Sequence, residues 1–212
     1  MTRAERVYLW VEYASLFFAV PAMIAFGDAA YAVFPLLWTA AASCTWLLCR
    51  DASFDRRSLW RSDAVSKGLP SVMGLWAVGA LLLAGLVHLV APENLFGLLR
   101  DRPNLWAAIM IGYPVLSVVP QNLVYRAFVF HRYRALFPAR VPMIAASALA
   151  FAFAHTLFHN WVALAITLVG GVIFARTYDR TRSLKLVCIE HALYGCAAFT
   201  VGLGSFLYNA PR

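Results

Sequence analysis

The stretch PQNLVYRAFVFHRYRALF, residues 120–137, decides the fold, because it sets polar and charged groups inside an otherwise apolar run. Residues 105–119 before it read as membrane-spanning, with Pro114 and Pro120 as interruptions. Asn122 and Arg126 lie four apart and so share one helical face, bordered by Gln121. An arginine at bilayer depth is costly unless it is paired or watered, which makes Arg126 a functional-site candidate. The alternative for Arg126 is a purely structural one, binding carbonyls or lipid phosphate near the cytoplasmic surface.

The rest of the chain fits a lipid environment. Of its 212 residues, 62% are hydrophobic and only 13% charged, and the mean hydropathy is +0.70. A soluble domain of this size has too little interior to hide that much apolar surface. The 18 Lys and Arg against 10 Asp and Glu give a net charge of +8. In this setting, basic residues mark cytoplasmic loops and meet anionic head groups, so no nucleic acid partner is expected. Cys44, Cys49, Cys188 and Cys196 form no CxxC pair and read as small apolar residues of a membrane bundle. No cleavable signal peptide is expected, since the first apolar stretch is long enough to span and lacks a small-residue cleavage site before Asp28.

The expected spans are 7–27, 30–49, 70–91, 105–137, 141–159, 161–178 and 186–208, each close to the twenty or so residues a bilayer requires. A short turn holding Asp28 joins the first two. Arg50, Arg56, Arg57, Arg61 and Lys67 put the loop at 50–69 in the cytoplasm. Arg132, Arg134 and Arg140 mark a second cytoplasmic loop, and the basic run 176–185 a third. With the N-terminus cytoplasmic, basic and charge-poor loops alternate as the positive-inside rule requires. The fold class is therefore all-α, a polytopic integral membrane helix bundle of seven helices, or eight if the interrupted element counts twice. The whole chain, 1–212, forms a single transmembrane domain.

Three polar clusters stand out. The first is Gln121, Asn122 and Arg126. The second is His155 in FAFAHTLFHN, with Phe151 one turn before it and His159 one turn after. The third is Glu190 and His191 in VCIEHALYGCAAF, followed one turn on by Tyr194 and Gly195. HxxxH without the internal glutamate of HExxH is a weak zinc signal, and no metal is expected. His159, beside Asn160 at a helix end, reads as interfacial or capping. A carboxylate such as Glu190 inside so apolar a helix is protonated, paired or facing water.

The order of these clusters resembles the CAAX protease and bacteriocin-processing family (the CPBP or Abi group of intramembrane endopeptidases), with its pattern EExxxR, FxxxH and HxxxN or HxxxB. Arg126 matches the arginine of the first motif, Phe151 and His155 match FxxxH, and His191 matches the start of the third. The motif-bearing part is 105–207. The resemblance implies an intramembrane endopeptidase of the bacterial inner (plasma) membrane that acts on a membrane-associated peptide or protein. In the family, a first-motif glutamate activates water with a histidine. The other histidine and the last asparagine stabilise the oxyanion. That route needs no metal and no cofactor. The chain departs from the pattern at both glutamates, where Gln121 and Asn122 cannot accept a proton at neutral pH, and at Gly195, which removes a side-chain donor. Glu190 is then the one nearby candidate base, about 100° around the helix from His191. By helical rise, His155 lies roughly 20 Å along its span from the basic end and His191 only about 8 Å, so the two are expected at different depths. Three functions stay open: an endopeptidase with impaired activity, a catalytically silent relative serving as a binding, immunity or assembly factor, and a small transporter component.

Overall fold

A computed structural model describes residues 1–27 and 33–207, and among these the chain is helical with no strand. Seven helices among the described residues are long and apolar enough to cross a membrane. They are α1 Arg3–Phe26, α2 Val33–Arg50, α3 Asp63–Val90, α4 Pro103–Arg132, α5 Arg140–Phe158, α6 Trp161–Thr181 and α7 Leu184–Val201. The protein is thus an integral membrane helix bundle. The expected turn at Asp28, the start of the second span at residue 30 and the end of the last at Tyr208 lie outside the described residues.

Helix ends follow local chemistry more than hydropathy. α1 starts at Arg3 because Thr2 and Glu5 form a reciprocal capping box. α3 begins at Asp63, seven residues before the expected start, and runs through Pro70. There Gly68 lets α7 close in, since a Cβ on it would stand 2.5 Å from Leu186 Cδ2. α7 is capped by Ser183, whose hydroxyl accepts from Leu186 N at 3.2 Å. It ends at Gly202 with φ +107°, a conformation that suits glycine, and a Cβ there would lie 2.3 Å from Asn94 O.

The prolines of α4 do not break it. Pro114 and Pro120 each remove a backbone donor, and the helix continues through two widened π turns, Pro114–Val118 and Leu123–Phe128. This gives one span where the interruptions suggested a possible two. The helix stops at Arg132, short of the expected Phe137. Residues 133–137 form a turn closed by Leu136 N and Phe137 N donating to Tyr133 O.

Most buried side chains belong to the second half of α4 and to α5, α6 and α7. Along α3, by contrast, Leu81 and Leu89 are 74% and 82% exposed, as lipid-facing residues are. The basic loops gather at one end of the bundle around a cavity of about 430 Å³. Arg132 forms a fork to Glu12 at 2.9 and 2.8 Å, which ties α1 to the end of α4. Arg61 pairs with Asp55 at 2.5 Å and Arg140 with Asp179 at 2.6 Å. Asp51 meets His131 at 2.7 Å, and hydrogen bonds from Ser53 and His131 hold its carboxyl below the usual carboxylate range.

Candidate functional site

Asn122 is 1% exposed. Its Nδ2 lies 2.9 Å from Val118 O and 3.0 Å from His191 Nδ1. A backbone carbonyl only accepts, so the amide nitrogen belongs at that end of the side chain, and it also donates to Nδ1. The ring proton of His191 is then on Nε2, which faces the Tyr113 hydroxyl at 3.1 Å. The imidazole stacks on Phe174 with centroids 4.5 Å apart and planes 23° apart, and meets the Phe151 ring at 5.4 Å. Both of its nitrogens are engaged, and neither bond is to a carboxylate.

Phe151 is the hub of the site. Its ring lies 4.6 Å from that of His155 and 5.6 Å from that of Tyr125, with the Arg126 guanidinium 4.9 Å above it. His155 Nδ1 sits 2.7 Å from Phe151 O and donates to it, leaving Nε2 to accept. The two histidines thus meet through a ring one turn nearer the basic end than His155, which removes about 6 Å of the expected difference in depth.

Arg126 is 0% exposed, and among the described residues it has no ion pair. Protein oxygens replace water around it. Nη1 donates to Ser147 Oγ at 2.8 Å, Tyr125 O at 3.1 Å and Ser147 O at 3.4 Å, while Nη2 donates to Gly171 O at 3.4 Å. Ser147 Oγ donates in turn to Tyr125 O at 2.6 Å. Gly171 permits this arrangement. A Cβ on it would come within 3.1 Å of Ala148 Cα and O, so α5 and α6 touch backbone to backbone beside the guanidinium. Nε has no partner.

The other sequence candidates fall at the margins. Gln121 turns back along α4, its Nε2 donating to Ser117 Oγ at 2.8 Å, and its buried Oε1 has no partner. Glu190 is 1% exposed, and its Oε2 is buried and unpartnered. No hydrogen bond joins Glu190 to His191 among the described residues. His159 lies in the link between α5 and α6 with its ring 5.6 Å from that of Phe26. Asn160, not His159, caps α6, accepting from Ala163 N at 2.7 Å. Among the described residues no group of three or more His, Cys, Asp or Glu is placed to hold a metal ion.

Four residues at this centre escaped the sequence reading: Tyr113, Ser147, Gly171 and Phe174. Of these, only Tyr113 carried a signal, as a polar-tipped ring next to a proline within an apolar run.

No curated protein and no solved structure matches the chain. A family model does match, Rce1-like, described as type II CAAX prenyl endopeptidase Rce1-like, over residues 103–197, somewhat under half of the chain. Those residues include α4 through most of α7, with Asn122, Arg126, Phe151, His155, His191 and Gly195 all inside them. Over this segment the chain is similar to the type II CAAX prenyl endopeptidase Rce1-like family.

Proposed function

We propose that this chain binds a membrane-associated peptide or protein at the Asn122–His191–His155 centre as a catalytically silent relative of the family's endopeptidases. The hydrogen bond from Asn122 Nδ2 to His191 Nδ1 carries this reading. Hydrolysis requires a base that takes a proton from water as it attacks the peptide carbonyl. A carboxylate at residue 122 would accept from the imidazole and share that task, whereas the amide only donates to it. The aromatic cradle of Phe151 and Phe174 and the free Nε2 of His155 remain suited to hold an extended peptide. A route restored by a carboxylate at 122 would use water, carboxylate and imidazole, and calls on no metal or cofactor. On this reading the basic end of the bundle, with the N-terminus, faces the cytoplasm of a bacterial inner membrane, as positive-inside sorting favours.

A second reading draws on Glu190, whose unpartnered Oε2 is a free acceptor in the protein interior. In this reading Glu190 is the base and the native chain is a slow endopeptidase. One experiment separates the two. The wild type, Asn122→Glu and Glu190→Gln are reconstituted in proteoliposomes and offered a mixture of fluorescence-quenched apolar decapeptides. The silent reading expects no wild-type cleavage and a rate at least ~100-fold above background for Asn122→Glu, the scale of a general base. Wild-type cleavage abolished by Glu190→Gln would establish the second reading in its place.

A further inference from the structure

Gly195 lies one turn beyond His191 on the same face of α7, so a side chain there would stand beside the imidazole. That space is taken. A Cβ on residue 195 would come within 2.3 Å of Tyr113 Cε1, 2.4 Å of its hydroxyl oxygen and 2.5 Å of Cζ. The phenol reaches it from α4 and is fixed on two sides, by the hydroxyl's 3.1 Å contact with His191 Nε2 and by an edge-to-face contact with Phe199 at 5.5 Å. Glycine at 195 and tyrosine at 113 therefore form one unit, in which one helix gives up a side chain and the other fills the vacated volume with a ring ending in a hydroxyl.

The hydrogen-bond order sets what that hydroxyl can do. Val118 O fixes the Asn122 amide, the amide fixes Nδ1 of His191 as acceptor, and Nε2–H consequently donates to the Tyr113 oxygen. The phenol proton is thus left uncommitted, and His191 is the hydroxyl's only hydrogen-bond partner among the described residues. We propose that Tyr113 is the carbonyl-binding donor of this site: its hydroxyl, oriented by His191 from the space above Gly195, donates to the ligand's carbonyl oxygen and best to a tetrahedral oxyanion. The assignment rests on the peptide-binding reading above. It does not depend on which group is the base, because a donor to the carbonyl oxygen acts whether or not water attacks.

The test uses full-length protein in lipid nanodiscs and two labelled probes of one apolar sequence, a peptide amide and the matching phosphinate, whose anionic oxygen mimics the oxyanion. Tyr113→Phe keeps the ring and its packing but leaves His191 Nε2–H without its acceptor, so the melting temperature should fall slightly, and by less than for Tyr113→Ala. It should weaken phosphinate binding ~10-fold or more and amide binding less than ~3-fold, since a preorganised donor matters most where charge develops. Gly195→Asn alone should lower the melting temperature by forcing the phenol out. Tyr113→Ala with Gly195→Asn should relieve that loss and restore phosphinate binding above the level of Tyr113→Ala. Equal phosphinate affinity for wild type and Tyr113→Phe, with the wild type binding both probes, overturns the assignment and leaves the peptide site standing. A wild type that takes up neither probe overturns both.

Discussion

Replacing Ser147 with alanine should destabilise the bundle by ~1–2 kcal/mol, working through Arg126 rather than through packing. The hydroxyl accepts from Arg126 Nη1 at 2.8 Å and donates to Tyr125 O at 2.6 Å. A charge-assisted bond contributes about 1.5–3 kcal/mol and a neutral one about 1 kcal/mol, which sets an upper range near 4 kcal/mol. Two features reduce it. Nη1 carries two protons and keeps two longer acceptors, Tyr125 O at 3.1 Å and Ser147 O at 3.4 Å. Tyr125 O in turn retains the guanidinium as a donor. Hydrogen bonds within membrane bundles also measure at the lower end, averaging about 0.6 kcal/mol in double-mutant cycles. The assay is reversible unfolding in mixed micelles of wild type, Ser147→Ala, Arg126→Met and the double variant. With Arg126 removed, no buried charge needs the hydroxyl, and Ser147→Ala should become nearly neutral, giving a coupling energy of about 1 kcal/mol. A coupling below ~0.3 kcal/mol, within the usual error of additivity, would refute the view that protein oxygens solvate this arginine.

Gly171→Ala should cost ~1–3 kcal/mol, because the new methyl meets Ala148 backbone atoms at 3.1 Å and the two helices must separate, drawing Gly171 O away from Arg126. Unchanged unfolding of that variant would mean that α5 and α6 yield freely at this contact. Glu12→Gln leaves Arg132 one acceptor in place of a carboxylate fork, and with Arg132 40% exposed the expected loss is only ~0.5–1 kcal/mol in the same assay. A loss above ~2 kcal/mol would show a buried ion pair rather than a rim contact. Asp51 accepts from Ser53 and His131, which stabilises its charged form, so this contribution is complete above the ordinary carboxylate range and is lost as pH falls through the depressed value. Its ¹³C carboxyl titration should therefore have a midpoint below ~3.9, and a midpoint at or above that would refute the contact.

The polar residues of the site were visible in the sequence because an apolar background makes each one expensive. Asn122, Arg126, His155 and His191 could be named before any helix was placed, and Phe151 followed from its turn-spacing to His155. Ser147, Gly171 and Phe174 gave no such signal. In a bundle rich in Ala, Gly and Phe, a small residue at a helix contact resembles one facing lipid, and only the neighbouring helix distinguishes them. Helix ends were misplaced for a related reason. The Thr2–Glu5 box that starts α1, the passage of α3 through Pro70 and the stop at Arg132 depend on hydrogen bonds that hydropathy does not register.

Tyr113 was hidden by the geometry of its own helix. At 100° per residue, the nine positions from Tyr113 to Asn122 turn an ideal helix through about 900°, which puts the two on opposite faces. The π turn at Pro114–Val118 takes up about one extra residue, cutting the rotation to roughly 800° and leaving the pair only about 80° apart. From there Asn122 reaches Nδ1 and Tyr113 reaches Nε2 of the same imidazole. In the sequence, Pro114 and Pro120 of the 105–137 segment read as interruptions of a span. In the fold, the turn that begins at Pro114 brings two residues of one helix onto both sides of His191, an arrangement that an unwidened helix of the same sequence would not make.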